Sequence, residues 1–323
     1  MPFPSSALTT LRPDLGGSLL EYELDMVARG MVGLEVLPVF EAAKASGQFG
    51  KIPVEQLLKN PDTARAPGAA YNRDAHTFTT DTFATVEYGV EEPVDDNASA
   101  MYREFFNAES IAAARARSAV MLAQEIRIAA AIFNATTWTS HTTAITNEWD
   151  DMTNAVPITD VAAAVKAVNT ASGMWPNALI INERVFRNLI RTDQIVNLIK
   201  YAGITDPRSG TIIAAALAQA LNIDRVIVAG LSKNTATEGQ SATFAPVWSD
   251  EYAMVCKLAT GQDIAEPCIG RTIHWGEDGS QIGATIESYR DESRRSDIIR
   301  VRNQVDEKVL FVEGGHLLSN VTT

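Results

Sequence analysis

The strongest helical signal in the chain runs from about Ala108 to Asn134, and it constrains the rest of the fold more than any other stretch. Ten of these 27 residues are alanine, the best helix former. At 1.5 Å per residue the helix is roughly 40 Å long. Its periodicity places Ile111, Ala119, Leu122, Ile126, Ala129 and Phe133 on one face, with Arg117, Gln124 and Arg127 opposite. Arg115 falls toward the apolar face, and the periodicity does not account for it. A helix of this kind suits an ordinary globular core. It equally suits the backbone of a flat, plate-like subunit.

What precedes the helix does not read as the start of a compact domain. Pro2, Pro4, Pro13 and the Gly16-Gly17 pair favour an extended course, interrupted by an apolar-periodic piece from Leu19 to Val27. The run Val36-Leu37-Pro38-Val39-Phe40 contains a proline, which bars it from a central strand and sends it to an edge or an arm. Residues 51–98 then hold a long polar excursion with Pro61, Arg65, Pro67, Tyr71, Asn72 and Arg73. It is followed by Thr77 to Tyr88, whose threonines and aromatics suit a strand. Two extended arms joined by such an excursion make a protruding hairpin with little core of its own. Two-stranded ribbons are marginal in water, so this one needs a neighbour to lie on.

Beyond residue 153 the pattern becomes α/β. Thr159-Asp160 can cap a helix through Thr170, and Asn177 to Asn182 reads as a buried strand. A helical stretch from Glu183 to about Tyr201 and a turn over Gly203 to Gly210 follow. A further helix, about Thr211 to Leu221, leads to the strand Arg225 to Ala229. Shorter strand-like runs lie around Ala253–Cys256 and Thr272–Trp275. Residues 284–289 alternate, and the polar turn from Asp291 to Asp297 separates them from the strand Ile298–Arg302.

Composition and motifs narrow the function classes. A hydrophobic fraction of 46% and a charged fraction of 21% in 323 residues describe an ordinary folded chain. Acids outnumber bases 40 to 27, for a net charge of −13. Gripping nucleic acid through its phosphates needs the opposite balance, so contact with DNA is expected to be local and weak. Gly47-Gln48-Phe49-Gly50-Lys51 has too few residues between its glycines for a phosphate loop, and Ile52 stands where a Ser or Thr should be. His76, His141, His274 and His316 are scattered, with no paired metal or catalytic spacing. The chain has no nucleophile elbow and no dinucleotide fingerprint. Asp95-Asp96 and Asp150-Asp151 are sequence neighbours that point apart on a strand. Cys256 and Cys268 read as two buried, reduced thiols. No stretch reaches the roughly 18 apolar residues that a membrane span needs, and the N-terminus lacks the features of a signal peptide. Neither an enzyme nor a cofactor or metal site is expected. The five arginines between Arg290 and Arg302 leave two readings open, a solvated hairpin of surface ion pairs or an intersubunit charge network.

Several segments, taken in order, resemble one family. Leu37-Pro38-Val39 with Phe40 through Lys51 is similar to the arm leading into the extended loop of tailed-bacteriophage major capsid proteins. Arg65-Ala66-Pro67-Gly68 with Tyr71-Asn72-Arg73 resembles that loop's tip. Tyr88 to Asp96 followed by the alanine-rich helix resembles the return strand and spine helix, and Tyr289 to Arg302 the closing strand pair. The resemblance implies an α+β fold of Hong Kong 97 type. It divides the chain into an N-terminal arm (1–50), an extended β-hairpin loop (51–98), a peripheral domain with the spine helix (99–152), an α/β axial domain (153–281) and closing strands of the peripheral domain (282–323). It also implies self-assembly into hexamers and pentamers of an icosahedral shell around double-stranded DNA, built in the host cytoplasm and carried in the virion. Expected partners are further copies of the chain, a scaffolding protein, a portal and, in some shells, a decoration protein. The short Pro-rich arm points to a separate scaffold. The expected assembly contacts are Pro38 and Phe40 in the arm, Arg65, Tyr71 and Arg73 at the loop tip, and Arg290, Arg294 and Arg295 in the closing hairpin. A cellular nanocompartment shell of the same fold is the alternative, followed by a soluble α/β enzyme.

Overall fold

A computed structural model of the chain describes residues 10–11, 30–51, 53, 56, 58–73, 75, 77, 79–102, 107–201, 210–261, 266–276, 282–283 and 285–323. The apolar-periodic piece at Leu19–Val27 and the turn at Gly203–Ser209 lie outside the described residues.

Two sheets are organised around one helix. The larger sheet is built on β14 (Ser296–Val309), a strand of 14 residues. One edge of β14 pairs with β13 (Thr285–Asp291), which carries β1 (Thr10–Leu11) beyond it, and then with β12 (Gly270–His274). The other edge pairs antiparallel with β5 (Val86–Asp95), from Val86↔Val305 to Asp95↔Ser296. β2 (Val39–Glu41) adds in parallel to the outer edge of β12, with Phe40 opposite Ile273. This is where Pro38 sends it: its missing N–H would leave a gap in a central strand, whereas an edge tolerates it.

The smaller sheet runs in the order β6 (Thr142–Ala144), β15 (Gly315–Ser319), β11 (Tyr252–Cys256), β7 (Ala178–Asn182), β8 (Arg225–Ala229). Every residue of β7 is buried, as expected of a strand covered on both faces. Alternate side chains divide between two cores. Leu179, Ile181, Ala253, Val255 and Leu318 pack under α4 (Pro157–Ser172), α5 (Glu183–Leu189), α6 (Asp193–Tyr201) and α7 (Gly210–Ala220). Ile180, Met254, Cys256 and Leu317 face the other way, toward Trp138, Trp248 and the C-terminal half of α3 (Ala108–Ile132). The N-terminal half of α3 packs Ala112, Ala113, Ala116 and Val120 on Ile286, Ile299 and Val301 of the larger sheet. One helix therefore serves both halves; the short α1 (Gly33–Val36) and α2 (Asp96–Tyr102) precede it, and β9 (Ser232–Asn234) and β10 (Phe244–Pro246) form a separate ribbon.

The buried face of α3 is not the one its apolar periodicity indicates. Ile111 is 40% exposed and Ala119 is exposed, while Arg117 and Gln124 are buried. The face is rotated toward the small side chains, which let the helix approach the sheet closely. The rotation also accounts for Arg115: it lies outward, paired with Glu92 at 2.9 Å. Other local expectations shift for local reasons. α4 begins at Pro157, with Val156 at the N-cap position, because proline's fixed φ and missing N–H suit the first turn. Asp160 accepts a hydrogen bond from Trp149 Nε1 instead of capping. The stretch from Glu183 to Tyr201 is two helices, α5 capped by Asn182 and α6 starting at Asp193. Between them the buried Thr192 hydroxyl donates to Leu189 O at 2.8 Å. Gly47-Gln48-Phe49-Gly50-Lys51 belongs to strand β3 (Ser46–Lys51).

A buried arginine, Arg271 on β12, is braced by Glu266, whose carboxylate accepts from Thr260 N (2.8 Å), Thr260 Oγ1 (2.7 Å) and Gly261 N (2.7 Å). The Thr260 amide, with its hydroxyl, the Gly261 amide and Arg271, holds this carboxyl at about 2, below its ordinary 4.5. A carboxyl depressed by folding contributes stability above its unfolded value and loses it as pH falls through the folded one. The stability advantage of the parent over Glu266→Gln should therefore shrink as pH drops from 4.5 to about 2. Thermal melts of both across that range check this, and parallel curves would refute it.

Candidate assembly surface

The arm is anchored to its own subunit. Leu37 O accepts from Thr272 Oγ1 at 2.9 Å, and Pro38 O accepts from Thr272 N at 3.1 Å. Phe40 is half-buried, and next to it Glu41 meets the buried His274 ring at 2.7 Å. Beyond β2 the chain turns outward into β3, which pairs with β4 (Thr79–Ala84) from Ser46↔Ala84 to Lys51↔Thr79. The stem of this hairpin is fastened to β14 and the residues after it. Lys308 Nζ contacts Asp81 at 2.8 Å and Thr82 O at 2.7 Å, Ala84 N donates to Asp306 at 3.1 Å, and Lys51 donates to Leu310 O. The Lys308 hydrogen bond holds the Asp81 carboxyl below its ordinary value.

Past the stem, every described residue from Leu58 to Arg73 is exposed. The tip is ordered by its own contacts. Arg65 Nε donates to Ala69 O at 2.6 Å, and its guanidinium stacks 4.4 Å from the centre of the Tyr71 ring. Asn72 Nδ2 donates to Asp62 O at 2.8 Å. Arg73 and Lys59 line an open cleft of about 480 Å³ beside Tyr71. Tyr71 is 74% exposed and Leu58 62% exposed. An aromatic ring and a guanidinium held in place while bare are the residue types that anchor protein interfaces.

The closing hairpin resolves the arginine run into pairs within the subunit. Arg290 grips Asp96 with both terminal nitrogens at 2.6 Å and reaches Asp297 at 3.3 Å. This fork holds the Asp96 carboxyl below its usual range and the Arg290 guanidinium above its own. Arg295 joins Asp96 at 3.9 Å, and Arg294 pairs with Asp291 at 3.7 Å; both remain about three-quarters exposed. A separate ladder runs from Glu91 through Arg300 and Glu287 to Arg302. Glu287 is buried within this ladder, whereas the pairs made by Arg294 and Arg295 lie in solvent, where such pairs contribute little.

The structure thus brings Arg290 and Arg295 together on one carboxylate, stacks Arg65 on Tyr71, and puts Pro38 and Phe40 on a sheet edge. Sequence reasoning missed Lys51 and Lys308, which fix the hairpin stem, and Asp96, which gathers the arginines. Their partners lie far away along the chain, so no local pattern marks them. Cys256 and Cys268 are free and buried, and burial pushes both thiols up. His316 Nε2 sits 2.8 Å from Thr143 Oγ1, and burial lowers its basicity. Among the described residues no group of His, Cys, Asp and Glu could hold a metal ion. Among them too, no helix is long and apolar enough to cross a membrane.

The arrangement recurs in known structures. A phage-related protein from Bordetella bronchiseptica superposes with a TM-score of 0.70 at 19% identity, covering 97% of this chain and 98% of its own. The capsid structure of cyanophage P-SCSP1u gives 0.60 at 11% identity, covering 99% and 92%. The chain has the Hong Kong 97-type capsid fold. Within that capsid fold, α3 is the spine helix and the β3–β4 hairpin the extended loop. In sequence the chain is 23% identical over 297 residues to the major capsid protein of Pseudomonas phage JBD67, covering 90% of this chain and 91% of that protein. No protein-family model matches.

Proposed function

We propose that this is a structural shell protein, the major capsid protein of a tailed bacteriophage, with no catalytic role. The observation that carries the reading is the near end-to-end match to a phage major capsid protein, on a subunit of capsid fold. The physics agrees. A subunit holding a bare hairpin tip outside its core gains stability by laying it on a neighbour. Copies of the chain are therefore the first partner, and Pro38, Phe40, Arg65, Tyr71, Arg73, Arg290, Arg294 and Arg295 are the proposed contacts. Hexamers and pentamers closing into an icosahedral shell follow from the same reading, with a scaffolding protein and a portal assisting in the host cytoplasm. The net charge of −13 suits a wall that encloses double-stranded DNA without gripping it. We further propose a peripheral domain on the larger sheet (99–152 and 282–323), an axial domain on the smaller (153–281), an arm (1–50) and a loop (51–98), the last two lending β2 and β5 to the larger sheet. Strand pairing joins 142–144 and 315–319 to the smaller sheet and 270–274 to the larger.

The test is to express the chain with and without a scaffolding protein and examine it by size-exclusion chromatography and electron microscopy. Closed, uniform particles are expected. A monomer under every condition would sink the proposal, and shells filled with protein cargo in place of DNA would move it to a cellular nanocompartment.

A further inference from the structure

In the C-terminal half of α3, two charged side chains separated by one residue reach toward different sheets. Positions i and i+2 on a helix do not face each other. Glu125 is 3% exposed. Its Oε1 accepts from Val32 N at 3.0 Å and Trp248 Nε1 at 2.7 Å, and its Oε2 accepts from Gly33 N at 2.8 Å. Trp248 is fully buried against the smaller sheet. Val32 and Gly33 open the segment that leads into arm strand β2. A side chain at residue 33 would place its Cβ 2.4 Å from Glu125 Oε2, so only glycine lets the backbone come this close. Arg127 does the matching work on the other side. Its guanidinium lies 3.7 Å from the centre of the Tyr88 ring on β5 and forks onto Glu307 of β14 at 2.7 and 3.1 Å.

Apolar contact alone is non-directional and lets a helix slide or roll on a sheet. A carboxylate with three converging donors, and a guanidinium that both stacks and forks, each admit one geometry. We propose that Glu125 and Arg127 form a two-sided clamp that sets the orientation of the smaller sheet and the segment entering the arm against β5 and β14 of the larger sheet. They are positioning residues for assembly. They touch no proposed contact themselves, yet they fix where the contacts point. The functional half of this inference rests on the shell reading; the clamp itself does not.

The experiment uses two conservative variants in the full chain. Glu125→Gln keeps size but has one acceptor oxygen, so its NH2 must face a donor. Arg127→Lys keeps the charge and loses both the stack and the fork. Hydrogen exchange on the free subunit reads the clamp whether or not shells form. Glu125→Gln should accelerate exchange of residues 30–37 about tenfold, and Arg127→Lys should do the same for residues 86–90. In assembly, both should give particles of mixed diameter or open sheets. Ile299→Val, which only trims the core under α3, should lower the melting temperature and leave the particles uniform. Unchanged exchange in both variants overturns the clamp. Lowered melting temperatures with uniform, parent-sized shells overturn its positioning role. If Glu125→Gln fails to fold, Arg127→Lys, on a side chain 26% exposed, decides by the same two readouts. If the parent itself never assembles, the shell reading fails, and exchange still judges the clamp.

Discussion

Replacing residues 53–77 with a short glycine turn should leave a folded subunit that no longer assembles. The excised part contributes little to the core, since Leu58 to Arg73 are all exposed and Pro53 and Gln56 are only half-buried. Of the described residues there, Leu58 touches the body, at the C-terminal glycine of α4. The stem that remains is held by six β3–β4 residue pairs and by Lys51 and Lys308. The stability cost should be below about 1 kcal/mol, a melting shift of about 2–4 °C at most. Particle formation should disappear, because the tip carries the stacked Arg65–Tyr71 pair and Arg73 with no other role in the fold. Calorimetry and size-exclusion chromatography make the comparison. Closed shells from loopless subunits would show that the hairpin is dispensable and that the contacts lie elsewhere. A subunit that unfolds would show instead that the excursion belongs to the core.

The parts of this fold that were legible in the sequence are those whose cause is local. Pro38 marks an edge strand by its missing donor. The alanine run marks a long helix. The unbroken apolar run at Ala178–Ile181 marks a strand buried on both faces, and the Pro- and Arg-containing excursion after Lys51 marks a loop without a core. What stayed hidden depends on partners distant in the chain. Asp96 meets Arg290 across 194 positions and Glu125 meets Val32 across 93; nothing in either neighbourhood signals the other. The charges between Arg290 and Arg302 were visible as a cluster, but whether they bond within a subunit or between subunits depends on strand register. That register puts Arg300 opposite both Glu91 and Glu287.

The rotated face of α3 yields the second large effect, because alanine says little about which way a helix faces. Large apolar residues at Ile111, Leu122 and Ile126 pull a periodicity argument toward their own side. In the fold, however, close approach to β14 selects the small side chains, and Ala116 is 1% exposed while Ala119 is exposed. Ala116→Arg should force a guanidinium against Ile299 and Val301, where Glu92, the register partner of Ile299, already holds Arg115. Its cost should be about 4 kcal/mol or more, a large share of the roughly 5–15 kcal/mol that holds a domain together. Ala119→Arg adds the same group to the solvent side and should change stability by about 0.5 kcal/mol at most. Urea unfolding of the two variants separates the alternatives. The opposite order, with Ala119→Arg the damaging one, is what the apolar periodicity alone predicts, and it would place the spine helix on the sheet by its other face.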